Sequence, residues 1–417
     1  HYNVAVGKDA LEMATTADSN TAVGFKALEA NTTGAANTAV GANALDANTT
    51  GGSNIAIGKD AVTANTSGAG NIGIGVGALR ANTTAGEVTG VGDGCLAANT
   101  SGASNTAFGS QALAGCTTGS SNIAVGNYAL NDVTTGTNNV AIGVVAGDAI
   151  TTGIHNVALG NYALTANTTG ELNTAIGHES MFVSTTTVGN VGVGRRTLYG
   201  CTTADNNTAI GYLSGYAATS GAQNTTLGTS SGQITPTTGS HNLLLGFSTN
   251  SGVGGSVGRI VIGDSFAGTS DTRVHIGNAT SHIYNDYNSN ATWTHSSDER
   301  SKKDIESSAL GLDFINELKP VTYKFKAPSE YPQEWESYNV DKTKPSNQNT
   351  QHGMIAQDVK EALDKFGIED FKGWDVLPDG KQQISEAMFV FPLIKAMQEL
   401  STQVDELKSE LLALKGE

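Results

Sequence analysis

Asn20-Thr21-Ala22-Val23-Gly24-Phe25-Lys26-Ala27-Leu28-Glu29-Ala30-Asn31-Thr32-Thr33-Gly34-Ala35-Ala36 is one copy of a seventeen-residue unit. The pattern N-x-A-[VI]-G-x-x-A-L-x-x-N-T-T-G-x-x starts at Asn3 and returns at Asn20, Asn37, Asn54 and Asn71. Val88 takes the Asn place once, and the series continues from Asn105 to Asn224. Fourteen copies follow without a slipped residue, and three looser ones begin at Asn242, Arg259 and Arg273. Periodicity of this kind is the mark of a stacked-repeat architecture.

With slots numbered 1 to 17 from the Asn, each position has a physical reading. Slot 5 is Gly in every copy, from Gly7, Gly24 and Gly41 to Gly228, then Gly246, Gly263 and Gly277. An invariant Gly within one chain means a positive φ or a backbone approach too close for a Cβ. Slot 4 is always a large apolar residue (Val6, Val23, Val40, Ile57, Phe108), and slot 2 is small and polar or branched. That alternation predicts a short strand with slot 4 on its buried face. Asn-Thr-Thr-Gly is turn chemistry leading into a second strand. Its first Thr persists from Thr15 and Thr32 to Thr202 and Thr219, and the column stops at Pro236. A Thr column raises the idea of ice binding, but hydroxyls bonded along a parallel ladder explain it better.

A unit of two short strands and two turns cannot bury its apolar edge alone, so copies must stack into a parallel β-roll or β-helix. Helical repeats are disfavoured by Gly and Thr at fixed interior places. Seventeen units at ~4.8 Å give a rod roughly 80 Å long over residues 1–277. With Ala, Val, Ile and Leu facing inward and few aromatics, one such rod has little apolar volume. Three about a common axis would pool their edges, so a homotrimer is expected. The repeat resembles the left-handed β-roll heads of trimeric bacterial adhesins.

Composition divides the chain. Of 52 Gly nearly all precede residue 280, whereas six of the seven Pro follow it. Between the two parts, residues 278–296 carry His282, Tyr284, Tyr287 and Trp293 and are expected to close the stem. The net charge of −16 divides equally: residues 1–290 hold 8 basic and 16 acidic side chains, the remainder 15 and 23. An acidic surface argues against nucleic acid as a partner. No run of 18 apolar residues is present, so no membrane insertion is expected. The eight His lack metal-ligand spacing, and Gly73 to Gly77 is repeat-derived rather than a nucleotide loop; no cofactor or metal is expected. Carboxylates hold no fixed slot, which weakens a polysaccharide-cleaving tailspike reading. Cys95, Cys116 and Cys201 are read as small buried thiols, since the two that share a slot stand roughly 24 Å apart, beyond the ~7 Å a bridge allows. No signal peptide is visible, and His1 suggests a trimmed start.

After Ser297 the composition becomes that of a globular α+β domain, 297–417. A helix-like run spans Leu310 to Leu318, a strand-like run Val321 to Phe325, and a polar loop Ala327 to Gln351. Gly353 to Gln357 leads into a helix over 358–366. Over 390–415, Val390, Leu393, Met397, Leu400, Val404, Leu407, Leu411 and Leu414 alternate in steps of three and four. That is a coiled-coil seam, entered through Pro392, which a first turn tolerates.

Four motifs occur in order: Ser297-Asp298-Glu299-Arg300-Ser301-Lys302, Leu318-Lys319-Pro320-Val321-Thr322-Tyr323-Lys324-Phe325, Gly353-Met354-Ile355-Ala356-Gln357, and the heptad helix. Together they resemble the intramolecular chaperone domain of endosialidases and related phage tail fibres, over about 120 residues. The resemblance implies that this domain drives trimer assembly of the preceding fibre and then cuts itself off with a serine-lysine dyad. It implies Ser297 as nucleophile, Lys302 as general base and Ser296–Ser297 as the scissile bond. It also implies a phage tail or extracellular location, attachment to an upstream tail or baseplate component, and a host-surface glycan or protein receptor. A bacterial surface adhesin with the same chaperone is the alternative.

The chemistry is physically sensible. A serine hydroxyl needs a base to take its proton, and a lysine serves only when burial or a neighbouring cation lowers its pKa. Arg300 and Lys303 are candidates for that neighbour. Asp298 is expected to orient the turn or pair with Arg300, and His295 to be solvated.

Overall fold

The computed structural model describes residues 2–415 apart from 234–237, 253, 287–293, 296, 336 and 346–347. Pro236, Tyr287, Trp293 and Ser296 therefore lie outside the described residues. Two compact units are present, His1–Ser297 and Asp298–Glu417.

In the first unit, fourteen three-residue strands, β1 (Val4–Val6) to β14 (Thr225–Leu227), recur every 17 residues. β15 (Leu243–Phe247), β16 (Ile260–Asp264) and β17 (Arg273–Asn278) continue them. Every neighbouring pair is parallel and like slots face each other, as in Thr21↔Thr38, Ala22↔Ala39 and Val23↔Val40. β18 (His282–Asp286) turns back antiparallel on β17, and β19 (Thr294–His295) on β18. The expected parallel solenoid is thus observed, with seventeen rungs.

Two sequence expectations are corrected. Each regular coil has one strand, not two: on the Asn-Thr-Thr-Gly side successive N–H groups converge on one carbonyl of the next coil, as Thr15 and Thr16 do on Thr32 at 3.0 and 3.1 Å, instead of forming a ladder. The buried face of the strand is also the opposite one. Slot 3 points inward, with Ala22, Ala39, Ala56 and Ala107 fully buried. The large apolar slot 4 points out, leaving Ile57 39% and Phe108 43% exposed. The tight coil explains the reversal, because its interior is already filled by Leu at slot 9 (Leu28, Leu45, Leu79) and Ala at slot 8. Only a methyl fits opposite them.

Side chains sew the coils together. Each slot-1 Asn accepts the backbone N–H of its successor, as in Asn37 N–H to Asn20 Oδ1 at 2.8 Å, and most donate to a carbonyl fourteen residues ahead, as Asn37 does to Gly51; Asn207 instead donates back to Asp205. A second buried column at slot 12 donates amide to amide, Asn48 to Asn31 at 2.9 Å and Asn65 to Asn48 at 2.8 Å. The slot-13 Thr hydroxyls donate to the next coil's Thr carbonyl, from Thr15 at 2.8 Å onward. Buried amides paired in this way meet the requirement that interior polar groups be satisfied, except where the slot-12 column is interrupted: Asn99 Oδ1, followed by Cys116, and the Asn167 amide, between Ile150 and Ser184, have no hydrogen-bond partner among the described residues. Cys95, Cys116 and Cys201 are free and buried, and burial pushes the Cys95 thiol up to about 12.

Slot 5 explains its glycine. In the fourteen regular coils its φ lies between 124° and 142°. A Cβ on Gly126 would also press into the backbone carbonyl of Gly143. Gly77, at slot 7 with φ 63°, has nothing within 4 Å of such a Cβ. Gly126→Ala is therefore expected to destabilise the solenoid by about 3 kcal/mol or more and Gly77→Ala by about 1 kcal/mol, read by thermal unfolding. Equal losses would contradict the close-stacking account.

The C-terminal rungs end in aromatic packing. His275 on β17 is fully buried, and among the described residues neither ring nitrogen has a hydrogen-bond partner. It packs against His282 at 5.9 Å and Tyr284 at 5.7 Å, with the Arg273 guanidinium over the Tyr284 ring. Burial first, then the charges of His282, Arg273 and Arg259, hold its imidazole down to about 4. The fold thus favours the neutral ring, and this stabilisation is complete above about pH 6.5 and is lost as pH falls toward 4. The unfolding temperature of the solenoid is expected to drop over that window in wild type and to drop less in His275→Leu. Parallel pH profiles would refute the assignment.

Candidate functional site

The second unit opens on a short 3-10 turn over Glu299–Ser301, capped by Asp298. The Asp298 carboxylate accepts the Arg300 backbone N–H at 2.9 Å, and the Arg300 guanidinium grips it with Nε at 2.9 Å and Nη2 at 2.6 Å. The Arg300 side chain, then its backbone N–H, holds this carboxyl below its usual range. Asp298 therefore both orients the turn and pairs with Arg300.

Ser297 stands immediately before the cap and Lys302 immediately after the turn, where its N–H closes on the Glu299 carbonyl at 2.9 Å. Both residues are exposed. Of the cations considered as neighbours for Lys302, Arg300 is engaged by Asp298 and Lys303 lies 3.9 Å from Asp304. The burial that a lysine base needs is not supplied within one chain. The backbone of His295 lies in β19.

The second unit has a small core of its own. α1 (Leu312–Glu317) buries Phe314 against Phe366, Phe371 and Phe389. β20 (Val321–Tyr323) pairs antiparallel with β21 (Gln351–Gly353), placing Val321 opposite Gly353 and Tyr323 opposite Gln351. Two of the four sequence motifs thus meet as one hairpin-like pair. α2 (Ala356–Lys365) adds Val359, Ala362 and Leu363 to the core. Lys365 reaches Glu317 of α1 at 2.7 Å. A second hairpin, β22 (Trp374–Val376) with β23 (Gln382–Ile384), is an element that the sequence reading left unassigned.

α3 (Val390–Lys415) is the long helix of the unit, roughly 39 Å by its residue count. It docks on α1 through buried Pro392 and Ala396, and its Glu399 carboxylate accepts the Leu312 N–H at 2.7 Å. The eight seam residues are on other faces. Val390, Leu393, Met397, Leu400, Val404, Leu407, Leu411 and Leu414 are exposed by between 40% (Val404) and 86% (Leu414). The heptad is therefore not the inner face of a helix packed on its own domain.

The solenoid has an unpartnered face as well. Slots 2 and 4 project outward from all seventeen rungs as Thr, Val, Ile, Leu and one Phe, without a single charged residue. Among the described residues no cluster of His, Cys, Asp and Glu is arranged to hold a metal. No helix there is long and apolar enough to cross a membrane.

Residues 297–368 match the family model described as chaperone of endosialidase. The match begins at Ser297 and runs through β20, β21 and α2. Comparison with curated proteins and with solved structures gave no match. The chain thus joins a parallel β-solenoid to a chaperone-of-endosialidase segment, the make-up of a fibre- or tailspike-like protein that carries its own folding device.

Proposed function

We propose that the chain forms a homotrimeric fibre of a phage tail or tail-like device, aligned by its C-terminal unit and joined through an upstream tail component to the particle. The observation that carries this reading is the pair of unpartnered apolar surfaces on one chain: the charge-free outer face of the solenoid and the seam of α3. Isolated helices of this length with an apolar stripe gain stability by pairing the stripe with copies of itself. Outward β-branched side chains on a parallel sheet gain in the same way from another sheet face. At its far end the fibre would meet a host-surface glycan or protein.

Maturation by self-cleavage belongs to the same proposal. Ser297 Oγ adds to the Ser296 carbonyl carbon while Lys302 takes the hydroxyl proton. Collapse breaks the Ser296–Ser297 amide, and the Ser297 nitrogen leaves as the amine with a proton returned from Lys302. The resulting ester is hydrolysed by water to the Ser296 carboxylate and the free Ser297 hydroxyl. Because Lys302 is exposed in a single chain, the burial that activates it would come from assembly, making cleavage follow trimerisation. Removing the aligning unit afterwards would make unfolding hard to reverse and confer kinetic stability.

Light scattering on uncleaved Ser297→Ala protein is expected to give three times the 42.6 kDa of one chain. Leu400→Asp with Leu407→Asp is expected to reduce it to one. On a denaturing gel wild type should run as two fragments, and Ser297→Ala and Lys302→Ala as one intact chain. A monomeric Ser297→Ala protein would refute the trimer, and an uncut wild type would refute the cleavage.

A further inference from the structure

Between Arg80 and Arg259 the chain contains only two lysines or arginines, Arg195 and Arg196, adjacent to each other. They occupy slots 6 and 7, just past the slot-5 glycine, and the same slots of neighbouring coils carry Tyr162, His178, Glu179 and Tyr212. Arg196 is committed to the fold: it forms an ion pair with Glu179 one coil back and lies over the Tyr199 ring at 5.6 Å. Arg195 is different. Its guanidinium lies over the Tyr212 ring at 5.8 Å and is exposed; the Glu179 carboxylate feels its charge but forms its ion pair with Arg196. Tyr212 is 43% exposed and Tyr162, edge-on to His178 at 6.0 Å, is 40% exposed.

A structural explanation covers only part of this cluster. At slot 10 of the same coils Phe182, Tyr199 and Tyr216 stack face to face at 5.3 and 5.1 Å. Tyr199 is stacked on both sides and Phe182 and Tyr216 each on one, so most ring faces of that column are taken up by one another. The column lies where the interior loses apolar bulk, since slot 8 changes from Ala to Ser180, Thr197 and Ser214, and ring stacking stabilises those coils. The slot-6 row of His178, Arg195 and Tyr212 has no such duty.

We propose that this row, flanked by Tyr162, binds an acidic oligosaccharide lying along the solenoid axis. The exposed Tyr rings present apolar faces and hydroxyls suited to a sugar ring. Arg195, pre-placed by its cation–π contact, presents a planar fork that matches one carboxylate. Successive coils repeat the slot every ~4.8 Å, close to the length of one pyranose residue, so neighbouring sugars meet equivalent positions. The surrounding rod is acidic, with 8 basic against 16 acidic side chains over residues 1–290. That excludes tracking a densely charged polyanion and favours a ligand with a carboxylate at one defined place.

The inference rests on the reading of the chain as an attachment fibre and names the chemistry of what it attaches to. The test is a panel of immobilised oligosaccharides, uronic- and sialic-acid-bearing beside neutral ones, probed with the intact Ser297→Ala chain. Binding is expected to prefer carboxylated members, to weaken by about tenfold or more in Arg195→Ala, to be partly kept in Arg195→Lys, and to be unchanged in Lys59→Ala. Light scattering on the same samples reports assembly separately, so failure to bind with an intact trimer overturns the site alone. Binding to no carboxylated member, or equal binding by Arg195→Ala, overturns the proposal.

Discussion

The approach of one coil's backbone to the next at slot 5 is the constraint on which the solenoid depends. Each of these glycines takes a φ open to few L side chains, and each occupies space that a Cβ would have to share with the following coil's carbonyl. Given that approach, the three-residue strands fall into register and like slots meet in every column, most often Ala on Ala, Asn on Asn or Thr on Thr. The stack also carries local strain. Slots 7, 9 and 17 are left-handed in non-glycine residues such as Lys26, Leu28 and Ala36, each costing on the order of 1–2 kcal/mol. Such conformations persist only where both neighbouring coils over-determine them.

The same regularity removes information. Within one chain, connectivity fixes which coil follows which. Between chains, the outward Thr, Val and Ile of one rung are nearly interchangeable with those of the next, so a shift by one coil exchanges like for like. No charge on that face penalises the wrong alignment. Parallel pairing between distant segments is also slow to form. Under the proposed trimer, a terminal unit whose α3 seam of eight exposed apolar residues pairs with copies of itself would supply what the rungs lack. In this account the endosialidase-type chaperone segment and the solenoid are complementary parts of one design.

Much of this was legible in the sequence because period and glycine placement are local signals. The seventeen-residue spacing gave the stacking, slot 5 gave its bend, and the heptad gave a helix with an unburied seam. Which face of the strand is buried was not legible. Three residues contain no full alternation, and the larger side chain at slot 4 suggested the wrong side; the decisive constraint, the width of a coil already filled by Leu28 and its equivalents, is three-dimensional. The second strand per coil was over-read from turn residues whose Asn proves to be an interior ladder. The pair β22 and β23 lacks a clean alternation in Trp374–Val376 and Gln382–Ile384. For Ser297 and Lys302 the motif shows which residues to test, whereas the burial of a lysine base depends on surroundings that residue spacing does not encode.

The most direct test of the central claim is inter-chain register. A spin label at a cysteine replacing Thr106, on the outward face of one rung in an otherwise cysteine-free Ser297→Ala chain, would report distances between copies after refolding. The account predicts one short, narrow distance for the full chain, and a broad distribution with coil-spaced components for a chain ending before Ser297. The same narrow distance from the shortened chain would contradict it, because the rungs would then align themselves.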